Sequence, residues 1–178
     1  MSVRLSELSR AERRRAVALA IVKVVGVWVL LFGGYYLTPG TVFAGRHVVI
    51  VLVGATALFV LIVAWQVHRV GQAKLPTVQA VGALGLLIPF FLVLFASFYL
   101  SLSTISAASF SQVLDHTGSL YFTVTVFATV GFGDIVPLTA QARLITVVQM
   151  LLDLVVLGAV VRIVFFAARR RIDEPLAD

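Results

Sequence analysis

Hydrophobic residues fall along this chain in long blocks and do not alternate. Residues 17–38, 48–67, 78 to about 102 and 139–168 are almost wholly apolar, and polar or glycine-rich stretches divide them. A helix rises about 1.5 Å per residue, so about 20 residues cross a hydrocarbon core about 30 Å thick. The pattern therefore predicts an all-α membrane protein with four transmembrane helices. One further apolar stretch, 118–128, is too short to cross and runs into a glycine-rich string. It predicts a helix that enters the membrane halfway and is followed by irregular chain.

The breaks between blocks have their own chemistry. Pro39-Gly40 ends the first block, and Pro89 interrupts the third, where its missing N–H predicts a bend. Residues 103–116 read as a polar loop, with His116 a solvated member of it. Ser9 and Glu12 have capping-box spacing ahead of Arg13, Arg14 and Arg15, which predicts a short basic helix within 1–16. The long apolar run behind it has no small-residue cleavage pattern and argues against a cleaved leader. Residues 169–178 begin with three arginines and continue as an acidic, disordered tail.

Composition narrows the class. With 61% hydrophobic residues, 12% charged residues and a mean hydropathy of +1.07, the chain has too little polar surface for a soluble fold. The absence of cysteine excludes disulfides, thiolate metal sites and cysteine nucleophiles. The net charge of +6 is distributed as a topology signal and gives no reason to expect nucleic acid. Arg4, Arg10, Arg13, Arg14, Arg15, Arg69, Lys74, Arg169, Arg170 and Arg171 would share one side, with only Arg46 and Arg143 opposite. Both termini are therefore expected in the cytoplasm of a multi-pass protein of the cell membrane. Lys23 and Arg162 lie inside blocks, as snorkelling or interfacial anchors. The first two blocks lack the regularly spaced arginines of a voltage sensor and read as a peripheral hairpin. The basic segments at the two termini are placed to meet anionic lipid headgroups, about 1 kcal/mol per charge near the surface.

The string Thr129-Val130-Gly131-Phe132-Gly133-Asp134 is poor material for a membrane helix. Irregular backbone at membrane depth persists only where protein buries it or where it lines a wet path. The string resembles the selectivity filter of potassium channels. The longer stretch DHTGSLYFTVTVFATVGFGDIVPLTAQAR, residues 115–143, is similar to a whole pore loop of that family, flanks included. The resemblance implies a tetrameric potassium-channel pore, a homotetramer because each chain carries one filter. Residues 75–168 would then be the pore domain, with pore helix 118–128, filter 129–134 and inner helix 139–168. Residues 17–74 would be the peripheral hairpin and its loop. Carbonyls of Thr129, Val130, Gly131 and Phe132 from four chains would replace the hydration shell of K+, and no other cofactor is implied. Gly131 and Gly133 would supply backbone angles closed to most other residues.

Within the resemblance, Tyr121 and Phe122 take the aromatic positions supporting the filter, and Thr125 stands behind it. Phe132 stands where tyrosine is commonest in the family and lacks its hydroxyl, and Ala128 replaces a threonine. Asp153 is the third departure, about where many channels have a hinge glycine, with Gly158 five residues later. A carboxylate inside a membrane is a functional hypothesis by default. Two readings stay open for it: a ring of cavity-facing acids, or a pairing with Lys23, Arg162 or Gln149. Leu154, Leu157 and Val161 share a helical face and are the expected cavity wall, near a gate at Gly158. Two other functions fit parts of the pattern. One is a non-selective cation channel; the other is an intramembrane aspartyl protease, since Gly131-Phe132-Gly133-Asp134 matches a GxGD string. The protease needs a second carboxylate beside Asp134, with Asp153 or Asp115 to supply it. The potassium channel, which is not an enzyme, accounts for the most residues.

Overall fold

The computed structural model describes residues 10–40, 50, 54, 57, 58, 61 and 76–172. Four α-helices are delimited there: α1 (Arg10–Leu37), α2 (Pro76–Ile105), α3 (His116–Phe127) and α4 (Ala140–Ile172). A 3-10 helix, Ala107–Ser109, lies between α2 and α3. Most of the second expected block lies outside the described residues; Ile50, Gly54, Ala57, Leu58 and Leu61 have helical backbone and are exposed.

Among the described residues two segments are long and apolar enough to cross a membrane. They are Gly85–Ile105, 21 residues with mean hydropathy 2.2, and Ala140–Arg162, 23 residues with mean hydropathy 2.5. The uncharged part of α1, Val24–Leu37, is shorter. Helix α1 is continuous from Arg10, so the basic segment and the first apolar block form one helix.

Helix α2 is the hub. It packs against α1 on one side and against α3 and α4 on the other. Its inward face is aromatic: Phe91, Phe95, Phe98 and Tyr99 are all fully buried. Tyr99, Phe110 and Phe122 meet edge to face, with centroids 4.9–5.7 Å apart. Such pairs contribute about 0.5–1.5 kcal/mol each beyond the area they bury. In lipid that matters, because apolar side chains gain little by leaving hydrocarbon and association depends on packing and polar contacts.

Pro89 sits inside α2 and is fully buried, without ending the helix. A proline cannot bond to the carbonyl four residues earlier, which here is Gly85. The Trp28 indole N–H of α1 donates to that carbonyl at 2.6 Å. Gly85 is needed for the approach, since a Cβ there would lie 3.0 Å from Val24 Cγ1. The proline thus creates the acceptor on which α1 docks.

Helix α3 begins at His116, two residues before the expected Gly118, because Asp115 caps it. The Asp115 carboxylate accepts from Gly118 N at 2.6 Å. At its other end the helix closes at Phe127, with Ala128 as cap. Helix α4 starts at Ala140 because the hydroxyl of Thr139 caps it, accepting from Ala142 N at 3.3 Å. It continues to Ile172, past the expected end at residue 168.

Candidate functional site

The chain between α3 and α4 carries the site. Thr129, Gly131 and Gly133 have φ of 56°, 54° and 79°, whereas Val130 and Phe132 keep negative φ. Alternating the hand of successive residues turns their carbonyls to a common side, unlike a strand, where they alternate. The two glycines adopt this at no steric cost, while Thr129 is strained by about 1–2 kcal/mol in the left-handed region. Strain of that kind persists only where the surroundings over-determine it.

The surroundings are the last turn of α3. Thr129 N donates to Val126 O at 2.9 Å, and Val130 N and Gly131 N both donate to Thr125 O, at 2.9 and 3.2 Å. Thr125 therefore braces the string through its carbonyl, while its hydroxyl turns back to Phe122 O at 2.9 Å. The N–H groups of Thr129, Val130 and Gly131 are spent on α3, and all six residues from Thr129 to Asp134 are exposed.

The two aromatic residues expected to support the string divide the task. Tyr121 stacks on Phe132, with centroids 6.4 Å apart and planes within 3°. Phe122 points the other way and joins the buried cluster with Tyr99 and Phe110. Phe122 holds α3 in place, and Tyr121 holds the string against α3.

The exit of the string is clamped by residues of the polar stretch 103–116. Ser111 N donates to Val136 O at 3.0 Å and Leu138 N to Ser109 O at 2.9 Å, a short antiparallel bridge around Phe110 and Pro137. The Ser111 hydroxyl donates to Asp134 O at 3.2 Å and accepts from Val136 N at 3.1 Å. Three serines within six positions, Ser106, Ser109 and Ser111, were the available signal.

His116 differs from its reading as a solvated loop residue. It opens α3, and its Nε2 lies 3.0 Å from Thr38 O at the end of α1. Its backbone carbonyl accepts from the Tyr35 hydroxyl at 2.7 Å.

The inner-helix candidates separate. Leu154, Leu157, Gly158 and Val161 are exposed on one side of α4. Asp153 is 3% exposed, on the side packed in the core of the chain with Leu152 and Val156. Neither of its carboxyl oxygens has a hydrogen-bond partner. One turn before it, Gln149 joins three helices: it accepts from the Tyr99 hydroxyl at 2.6 Å and donates to Thr123 O at 3.0 Å. Asp134 and Asp153 do not bond to each other, so no carboxylate dyad forms between them.

Residues 83–169 match a family model described as an ion channel, a span that holds α3, the string and the apolar part of α4. Residues 83–169 are an ion-channel domain. Comparison with curated proteins and with solved structures gives no match. Two apolar helices inside this channel domain make the chain a membrane protein. The braced, exposed string lies at the centre of the channel domain's sequence, and α1 precedes the domain.

Proposed function

We propose that the channel domain is a potassium-selective pore, formed by four copies of the chain around the string Thr129–Asp134. The observation that carries this reading is the alternation of backbone hand at Thr129, Gly131 and Gly133 with the amides of Val130 and Gly131 held on Thr125 O. That combination leaves the carbonyls of Thr129, Val130, Gly131 and Phe132 free to serve a cation. A single chain provides one edge of such a path, and four copies close a ring of oxygens at each level. The C-terminal end of α3, carrying about half a negative charge, adds attraction for a cation beneath the string. The exposed apolar side of α4, with Leu154, Leu157 and Val161, would face the inner cavity or a neighbouring copy. The distribution of basic residues supports an orientation with both termini in the cytoplasm and the string toward the outside.

The test is a bi-ionic reversal potential in planar bilayers, with potassium on one side and sodium on the other. Reversal far toward the potassium equilibrium value, abolished in G131A, supports the reading. A Cβ at Gly131 meets no atom within 4 Å in the single chain, so the substitution acts through the positive φ and not through crowding. Reversal near zero with robust current would assign the protein to non-selective cation channels.

A further inference from the structure

Asp153 is buried on all sides by its own chain, and nothing in the pore reading uses it. Its two oxygens lack hydrogen-bond partners, although almost all buried polar side chains in folded proteins have one. Among the described residues, the groups packed around it carry no positive charge. From α2 the titratable neighbour is Tyr99, whose hydroxyl is already donated to Gln149. The buried positions of α3, Ser119, Phe122, Thr123 and Thr125, carry no titratable group. On α4 the next charged residue is Arg162, nine positions on and exposed. A carboxylate formed there would have to find water or a cation.

What lies beside the acid gives its titration a consequence. Gln149 stands one turn earlier on the same face, and its amide is the polar tie among α2, α3 and α4. Thr123, at the α3 end of that tie, is two residues before Thr125, the carbonyl that holds the string. The geometry points to Asp153 as a proton-operated control of the pore: losing its proton drives α4 away from α2, and the Gln149 bridge carries the displacement to α3. This inference rests on the pore reading. The neutral acid favours the arrangement described here; the carboxylate favours a second arrangement in which α4 has shifted and water reaches the acid. A pKa difference of one unit between the two arrangements moves their equilibrium about tenfold across the titration.

The experiment uses the full chain in planar bilayers with potassium on both sides, at pH values from about 5 to about 9. Open probability of the wild type is expected to change at least about tenfold over that range. D153N, which keeps the shape and cannot ionise, is expected to hold the acidic value at every pH, with potassium over sodium selectivity unchanged. A pH-independent wild type, or a D153N channel that keeps the wild-type response, overturns the proposal. Infrared difference spectroscopy reads the same group without current. A protonated carboxyl C=O band at neutral pH that D153N lacks supports it, and an Asp153 already ionised at neutral pH overturns it. Current without selectivity would strike the pore reading, and the infrared band would then decide on Asp153 alone.

Discussion

The two sides of α4 are built on opposite principles. The side turned into the core carries Thr146, Gln149 and Asp153 among Ala142, Ile145, Leu152 and Val156. Between Leu144 and Val161 the side turned outward, with Leu144, Val147, Met150, Leu151, Leu154 and Val155, is apolar. A soluble helix reverses this arrangement, because water rewards polar groups outside. In a membrane protein the apolar exterior meets lipid or other copies at little cost, and polar groups inside supply the directional contacts that hydrocarbon cannot. The difference teaches where position is specified: the inner side fixes how α4 sits on α2 and α3, and the outer side is free to serve assembly and conduction.

The largest expected effect comes from cutting the inner side at its centre. Gln149→Leu removes the acceptor of the Tyr99 hydroxyl and one donor to Thr123 O, leaving a fully buried phenol unpartnered. Each buried polar group so abandoned costs about 1–3 kcal/mol. Thermal unfolding of the purified protein in detergent should register the loss. Tyr99→Phe should register a similar one, and the double variant should lose clearly less than the sum because both changes break one bond. Additive losses would show that the network is not a unit.

That inner side was partly legible beforehand. Thr146, Gln149 and Asp153 are three and four residues apart, which places them on one helical face whatever that face meets. The sequence also marked Asp153 as costly and offered Gln149 as a neighbour. It could not give the direction of the face, because in a membrane helix a polar stripe can turn either to the protein core or to a water-filled cavity. The string was legible for a different reason: glycines at Gly131 and Gly133 are a backbone requirement written in residue type. Thr129 hides the same requirement, since its positive φ is imposed by its surroundings and not by its side chain. The serine clamp at Ser109 and Ser111 and the role of His116 depend on contacts between segments distant in sequence, and no local pattern announces those.

A smaller effect is expected where α1 meets the channel domain. Trp28→Phe keeps an aromatic ring and removes the hydrogen bond to Gly85 O, worth about 1 kcal/mol net. The dependence on Pro89 sharpens this. Pro89→Ala restores an N–H that can bond to Gly85 O within α2, so Trp28→Phe should cost less in that background than in the wild type. Equal costs in both backgrounds, measured by thermal unfolding, would mean that the proline does not create the docking point.

The smallest effect on stability is expected on the outer side of α4, and there stability and function should part company. Leu154 is 66% exposed in the single chain, so Leu154→Ala removes little internal packing and should change unfolding by less than about 0.5 kcal/mol. If four copies of Leu154 line the cavity, a large apolar cation entering from the inside would lose contact with them. At about 0.8 kcal/mol per buried CH2 group, block by a tetraalkylammonium ion should weaken at least about fourfold. Normal stability with weakened block would place Leu154 at the conduction path, as the apolar outer side of α4 suggests. Normal stability with unchanged block would place it against lipid, and the cavity wall would then have to be sought on another face of α4.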